Sequence, residues 1–309
     1  MKIVYAGADA RMSVAPLQAL LAAGFDIAAV VTQPDRPVGR KRLLTPNAVK
    51  VCAQGAGLPV YCFERIREHA AELAALGCGA MVTCAYGQIL TQEVLDAFPR
   101  GVYNIHASLL PRWRGASPVQ HAVLAGDEYT GVTVMRTELG LDSGDMLLSR
   151  RVLVGEKTAG ELLAELSALG AEAIVEALKK VESGTAVFTP QGEEGVTFCK
   201  KIKKEDCRVD FSRPAQEVCR LVRAMCPEPL AFTALRGGLI NLLAAQPAPA
   251  EAGTGQPGEV LRADKRGILV QAGEGCVRIL SLQFEGGKPL RAADAVNGRK
   301  ISQGDLLGG

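Results

Sequence analysis

Three side chains stand where this sequence could run a reaction: Asn104, His106 and Asp142. Asn104 and His106 are two apart in Val102-Tyr103-Asn104-Ile105-His106, a run with strand character, so both point to one face. An amide beside an imidazole suits the stabilising of a developing oxyanion and the handling of a proton. At the carboxyl end of a strand they would sit where open α/β sheets place ligands. The same pair also reads as two satisfied polar groups at a strand end, and the two residues alone do not decide. Asp142 lies in Gly140-Leu141-Asp142-Ser143-Gly144-Asp145, where an aspartate between glycines is ordinary turn chemistry.

The elements that must position these groups follow from the pattern of apolar residues. Strands are predicted over Lys2 to Ala6, Asp26 to Thr32, Ala80 to Ala85, Val102 to His106, Gly131 to Thr137 and Met146 to Val154. Helices are predicted over Val14 to Ala23, Pro46 to Ala53, Arg65 to Leu76, Pro118 to Leu124 and Glu161 to Val181. The last carries Leu162, Leu166, Leu169 and Ala173 on one stripe. This alternation predicts an α/β fold, a Rossmann-like and mainly parallel sheet with helices on both faces.

The character changes near Phe188. Residues 189–207, with proline, glycines and a charge run, read as a linker between a catalytic domain over 1–188 and a second domain over 208–309. There a helix over Pro214 to Met225 precedes short strands over Ala231 to Leu235, Leu239 to Ala244, Gly258 to Leu261, Ile268 to Ala272 and Val277 to Phe284. A small antiparallel β-barrel, OB-like in type, is expected. Ala245 to Gly258, rich in Ala, Pro, Gly and Gln, reads as a mobile loop.

Composition narrows the class. The 309 residues are 48% hydrophobic and 22% charged, ordinary for a soluble globular protein, and no apolar run is long enough to span a bilayer. The start, Met-Lys-Ile-Val-Tyr-Ala-Gly, is too soon interrupted for a secretory signal, so a cytoplasmic protein is expected. The nine cysteines form no Cys-x-x-Cys pair and read as buried, reduced thiols; with only three histidines, no zinc site is expected. A net charge of +2 gives no global attraction to nucleic acid, so any such attraction must be local.

Taken together, Asn104-x-His106, Ser108-Leu109-Leu110-Pro111 and the Gly140-to-Asp145 segment resemble the folate-dependent formyltransferase family, in order, in separation and over nearly the whole chain. The resemblance implies 10-formyltetrahydrofolate as donor, with a primary amine attacking the formyl carbon directly. It implies that Asn104 and protonated His106 hold the oxyanion. Asp142 would orient His106, favour its charged form, and stand ready to relay a proton through water to the leaving nitrogen. Neither a metal nor a covalent enzyme intermediate is implied. Ser108, Leu109, Leu110 and Pro111 would line the folate pocket, and Tyr86, Gly87, Gln88, Ile89 and Leu90 match the segment that receives the pterin ring.

The acceptor is suggested by Gln33 to Pro46, a loop with Arg36, Arg40, Lys41 and Arg42 between prolines and a glycine. It reads as a solvated basic turn or as a contact for closely spaced phosphates. It resembles the loop by which tRNA-formylating members of the family engage the acceptor stem of initiator methionyl-tRNA, whose product, N-formylmethionyl-tRNA, starts translation. Lys200, Lys201, Lys203 and Lys204, in the predicted linker, would extend a basic track, or be a solvated charge run. With 5% aromatic residues and one tryptophan, recognition is expected to rest on phosphates and RNA shape, with strong salt dependence, by a monomer. Rival readings are a formyltransferase for amino-sugar nucleotides, a formyltetrahydrofolate hydrolase and a non-catalytic tRNA-binding protein.

The chain departs from the family pattern in two motifs. The usual Gly-Thr-Pro-x-Phe is Gly7-Ala8-Asp9-Ala10-Arg11, and Asn-Pro-Trp-Pro becomes Cys226-Pro227-Glu228-Pro229.

Overall fold

A computed structural model describes residues 1–39, 42–248 and 255–308. Seven strands form the first sheet: β1 (Lys2–Gly7), β2 (Asp26–Thr32), β3 (Val60–Cys62), β4 (Ala80–Cys84), β5 (Val102–His106), β6 (Tyr129–Arg136) and β7 (Met146–Leu153). Their order is β7-β6-β5-β4-β1-β2-β3. Strands β3 through β5 pair in parallel, whereas β6 and β7 are antiparallel to their neighbours. The mainly parallel sheet predicted from the alternating pattern is therefore present. Its central strands are apolar along their length because helices cover both faces: β4 is buried at every position. Edge strand β7 has no buried position, and from Leu148 to Leu153 it alternates between half-buried and exposed residues.

The chain leaves β1 toward β2 and β3, then returns past β1 to build β4 and β5 on its other side. The order reverses between β1 and β4, and the carboxyl ends of those strands frame the crevice where such sheets receive ligands.

The helix after β1 starts at Ala10, four residues before the predicted Val14, because Asp9 caps it by accepting from the Arg11 amide at 2.7 Å. The altered first loop thus closes on itself, with Arg11 also paired to Asp9 at 3.0 Å. Pro16 lies inside this helix and cannot donate to Met12. The Met12 carbonyl instead accepts from the Cys84 thiol and the Ser167 hydroxyl, each at 3.3 Å. A proline that would weaken an isolated helix here ties it to β4 and to the long helix Ala159–Ser183.

Other expectations need correction. The helix predicted over Arg65 to Leu76 is a short turn, Ile66–Glu68, and a separate helix, Ala70–Ala75. His69 breaks the run at φ −122°, its ring stacked on Phe63 with centroids 3.9 Å apart. The Ile66 amide is taken by the Gln88 side chain at 2.7 Å. On the long helix Leu162, Leu166 and Ala173 of the predicted stripe are buried, with Ile174 beside them, while Leu169 is only half-buried. The predicted basic loop is partly a two-stranded ribbon, Arg36–Val38 with Leu43–Thr45. Of the nine free cysteines six are buried, but Cys62 is exposed. Burial pushes the Cys84 and Cys219 thiols up to about 12, so both stay neutral at physiological pH.

The second sheet is antiparallel: β8 (Ala231–Leu235), β9 (Gly238–Pro247), β10 (Val260–Asp264), β11 (Gly267–Gln271), β12 (Cys276–Phe284) and β13 (Leu290–Arg291), in the order β8-β9-β12-β11-β10 with β13 on β12. This separate antiparallel unit is consistent with the expected small barrel. Arg236 and Gly237, both at positive φ, make the tight turn between β8 and β9. β9 runs on to Pro247, into the stretch predicted to be a mobile loop, and Ala248 is buried and bonded to Cys276. Residues 249–254 of that stretch lie outside the described residues. By contact density the chain divides into two units. The first holds Met1–Pro118, Tyr129–Leu153 and Leu163–Cys199; the second holds Val119–Glu128, Val154–Leu162 and Lys200–Gly309.

Candidate active site

Asn104 and His106 project from the end of β5. On β4, Thr83 is in register with Asn104, and its hydroxyl donates to Asn104 Oδ1 at 3.0 Å. That bond fixes which way the amide lies. The oxygen is occupied, and Nδ2 has no acceptor among the described residues. A half-buried amide with an oriented, unspent N–H pair is suited to receive negative charge.

His106 is 5% exposed. Its Nε2 lies 2.9 Å from the Trp113 carbonyl, which can only accept, so Nε2 carries a proton and donates. Its Nδ1 faces Asp142 Oδ2 at 3.6 Å, ion-pair range rather than a hydrogen bond. Both ring nitrogens thus face oxygen atoms, which hold the imidazole in one orientation. The three residues singled out from the sequence are thus brought to one place. His106 Nε2–H donates to Trp113, whereas the Asn104 N–H pair is unspent among the described residues.

Two chain segments hold Asp142. Its Oδ2 accepts from the Gly115 amide at 2.9 Å. Gly115 sits at φ +120°, and a Cβ there would stand 2.3 Å from the Cys199 carbonyl, because Arg114–Gly115 pairs directly with Phe198–Cys199. Asp142 (φ +46°) and Trp113 (φ +63°) both lie in the left-handed region, uncommon for a tryptophan. Such backbone persists where surrounding bonds over-determine it, and such places are often functional. Gln191, within the stretch read as a linker, adds a further hold: Nε2 donates to the Asp142 and Gly144 carbonyls at 2.9 and 2.8 Å.

Comparison with known proteins agrees with this geometry. Residues 1–178 match the family described as formyl transferase, and residues 201–300 match formyl transferase, C-terminal domain. The chain belongs to the formyl transferase family. It is 46% identical over 312 residues to a methionyl-tRNA formyltransferase of Chromobacterium violaceum, covering 100% of both chains. It is also 46% identical over 304 residues to one of Xanthomonas campestris pv. campestris, covering 97% of this chain and 98% of the relative. Among solved structures it resembles an N-formyltransferase from Helicobacter canadensis, in complex with folinic acid and dTDP-3-aminofucose, at TM-score 0.69 and 16% identity over 90% of this chain and 98% of that one. HypX from Aquifex aeolicus in complex with tetrahydrofolic acid matches at TM-score 0.66 and 20% identity, over 96% of this chain and 46% of that one. At those identities the two structures speak for the fold alone.

In this formyltransferase the segment expected to receive the pterin follows β4 at the carboxyl edge of the sheet. Ile89 is 87% exposed there, while Tyr86 and Leu90 are buried. The Tyr86 hydroxyl is buried with no hydrogen-bond partner among the described residues. The Gln88 side chain is engaged elsewhere, holding Ile66 and Phe63. In the Ser108-to-Pro111 loop, the Ser108 hydroxyl donates to Arg112 at 2.6 Å and its carbonyl accepts from Thr133 at 2.8 Å, so Ser108 shapes the loop from within. Leu110 is buried, and Leu109 and Pro111 are half-buried.

Of the basic loop, Arg36 and Arg42 are exposed in the first unit, and Arg40 and Lys41 lie outside the described residues. Lys200, Lys201, Lys203 and Lys204 are exposed and belong to the second unit.

Thr83 and Gln191 were missed by reading the sequence. Thr83 gave one signal, a hydroxyl in an otherwise apolar strand; Gln191 gave none. Thr83→Val, which keeps the shape and removes the hydroxyl, is expected to lower turnover about fivefold, the worth of one hydrogen bond of about 1 kcal/mol. Thr83→Ser should restore most of it. Steady-state kinetics checks both, and equal rates for the valine and wild-type chains would remove Thr83 from the site.

Proposed function

We propose that this formyltransferase moves the formyl group of 10-formyltetrahydrofolate onto the free amino group of methionyl initiator tRNA. The observation that carries the reading is Asn104, His106 and Asp142 converging at the carboxyl end of β5, in a chain that matches methionyl-tRNA formyltransferases from end to end.

The residues fit the donor. The buried, unpartnered Tyr86 hydroxyl stands in the segment expected to take the ring system, and the unspent Asn104 amide lies on the adjacent strand. When the amine attacks the formyl carbon, negative charge grows on the formyl oxygen, and Asn104 Nδ2 donates to it. His106 supports that charge as a cation, its ring held between Trp113 and Asp142. Asp142 keeps the imidazolium in place and is positioned to pass a proton, through water, toward the leaving nitrogen.

Arg36, Arg40, Lys41 and Arg42 contact phosphates of the acceptor stem, and the lysines from 200 to 204 add to the electrostatic attraction. Accordingly, Arg42→Ala is expected to raise the KM for methionyl-tRNA several-fold and leave the KM for the folate donor within twofold. A parallel rise in both would make the loop structural. The reading itself is tested by supplying 10-formyltetrahydrofolate with either methionyl initiator tRNA or an amino-sugar nucleotide. Formyl transfer to the tRNA, weakening as salt rises from 50 to 200 mM, is expected. Formylation of the sugar alone, or tRNA binding without turnover, would overturn it.

A further inference from the structure

Gln191 uses its whole side-chain amide on two segments of the site. Nε2 donates to the carbonyls of Asp142 and Gly144, at 2.9 and 2.8 Å. Oε1 accepts from Arg114 Nε at 3.0 Å and from Arg114 Nη2 at 2.7 Å. Four bonds exhaust what a primary amide can make. Arg114 is the neighbour of Gly115, whose amide holds the Asp142 carboxylate at 2.9 Å. The bonds therefore form a closed ring. Gln191 fixes the backbone of Asp142, Arg114 fixes Gln191, and the residue after Arg114 fixes the side chain of Asp142.

We propose that Gln191 is a positioning residue for Asp142, setting where its carboxylate stands relative to His106. The inference rests on the reading of Asp142 as part of the transfer site. Asp142 holds a left-handed backbone at φ +46°, and bonds from other segments tie that turn in place. Among them, the Gln191 bonds reach Asp142 and Gly144 from outside their own loop. Only a side chain with two donors and an acceptor in one plane completes the ring. Glutamate at this position keeps the Arg114 contact but turns an acceptor oxygen toward two carbonyls. Alanine removes all four bonds without adding charge.

The test uses the full chain and the variants Gln191→Glu and Gln191→Ala, each alone and combined with Asp142→Asn. Amide hydrogen exchange reads the geometry without needing activity. At Gly115, exchange is expected to quicken about tenfold or more in both variants, while core amides such as Val132 and Val134 keep their protection. With 10-formyltetrahydrofolate and methionyl-tRNA, kcat is expected to fall about 10–100-fold, as misplaced catalytic groups typically cause, with both KM values within twofold. On the Asp142→Asn background, replacing Gln191 should cost nothing further, because the clamp acts through Asp142.

Unchanged exchange at Gly115, or the same fold loss with and without the Asp142 carboxylate, would overturn the proposal. Should Gln191→Glu fail to fold, Gln191→Ala decides alone. If wild-type protein transfers no formyl group, the proposed function fails, while the exchange result still decides the clamp.

Discussion

Replacing Asn104 by alanine is expected to lower turnover by about 10²–10³-fold with the fold intact, the usual loss when one oxyanion donor is removed. The geometry gives the reason. Asn104 is half-buried on β5, its carbonyl oxygen is taken by Thr83, and its N–H pair remains unspent. The other donor in reach, His106 Nε2, is engaged with Trp113 at 2.9 Å and does not simply take over. The loss should appear in kcat, with folate and tRNA KM values little changed, because the bond strengthens only as charge develops on oxygen. Asn104→Asp sharpens the test: the shape is kept, but an acceptor now faces the growing charge, so it should be no better than alanine. Wild-type turnover in the alanine variant would remove Asn104 from the mechanism.

A single methyl group at Gly144 should act almost as strongly, although Gly144 touches no reacting atom. A Cβ there would stand 1.9 Å from the Arg136 carbonyl oxygen. Arg136 is the last residue of β6, and its amide donates to the Asp145 carbonyl at 2.8 Å, so the loop is sewn to the strand at the point of collision. Neither backbone can yield without giving up that bond. The loop must swing away, taking Asp142 from the Gly115 amide and Gly144 from Gln191. Gly144→Ala is therefore expected to lower kcat about 10²-fold, the order of loss for a small misplacement of a catalytic group. It should also destabilise the chain by about 1–3 kcal/mol, typical of overpacking. Thermal unfolding and steady-state kinetics on one preparation check both. A variant that melts and turns over like wild type would show slack in the loop.

Much of the sheet was legible in the sequence because buried parallel strands must be apolar along their length. Lys2–Gly7, Asp26–Thr32 and Val102–His106 were found to within a residue. The strand Val60–Cys62 was not, being three residues long with no buried position, too short for any period to declare itself. The helix over Arg65 to Leu76 was misread for a tertiary reason: its propensity is sound, but Gln88 captures the Ile66 amide and Phe63 captures the His69 ring. Pro16 shows the converse, a helix breaker tolerated because Cys84 and Ser167 take up the carbonyl it leaves free.

The candidate site divides along the same line. The sequence by itself determined which groups are present: an amide and an imidazole two residues apart on a strand share a face whatever surrounds them, since side chains alternate along extended backbone. It also determined that a carboxylate follows in a glycine-flanked turn. Only the tertiary structure decided what those groups face. Thr83, 21 residues before Asn104, turns its amide. Trp113, through a left-handed backbone, offers the carbonyl that accepts from His106 Nε2. Gln191, 49 residues after Asp142, holds the loop that carries it. Two of these contacts join residues 21 and 49 apart, and two of them end on backbone carbonyl oxygens that every residue possesses, so residue type and spacing did not announce them.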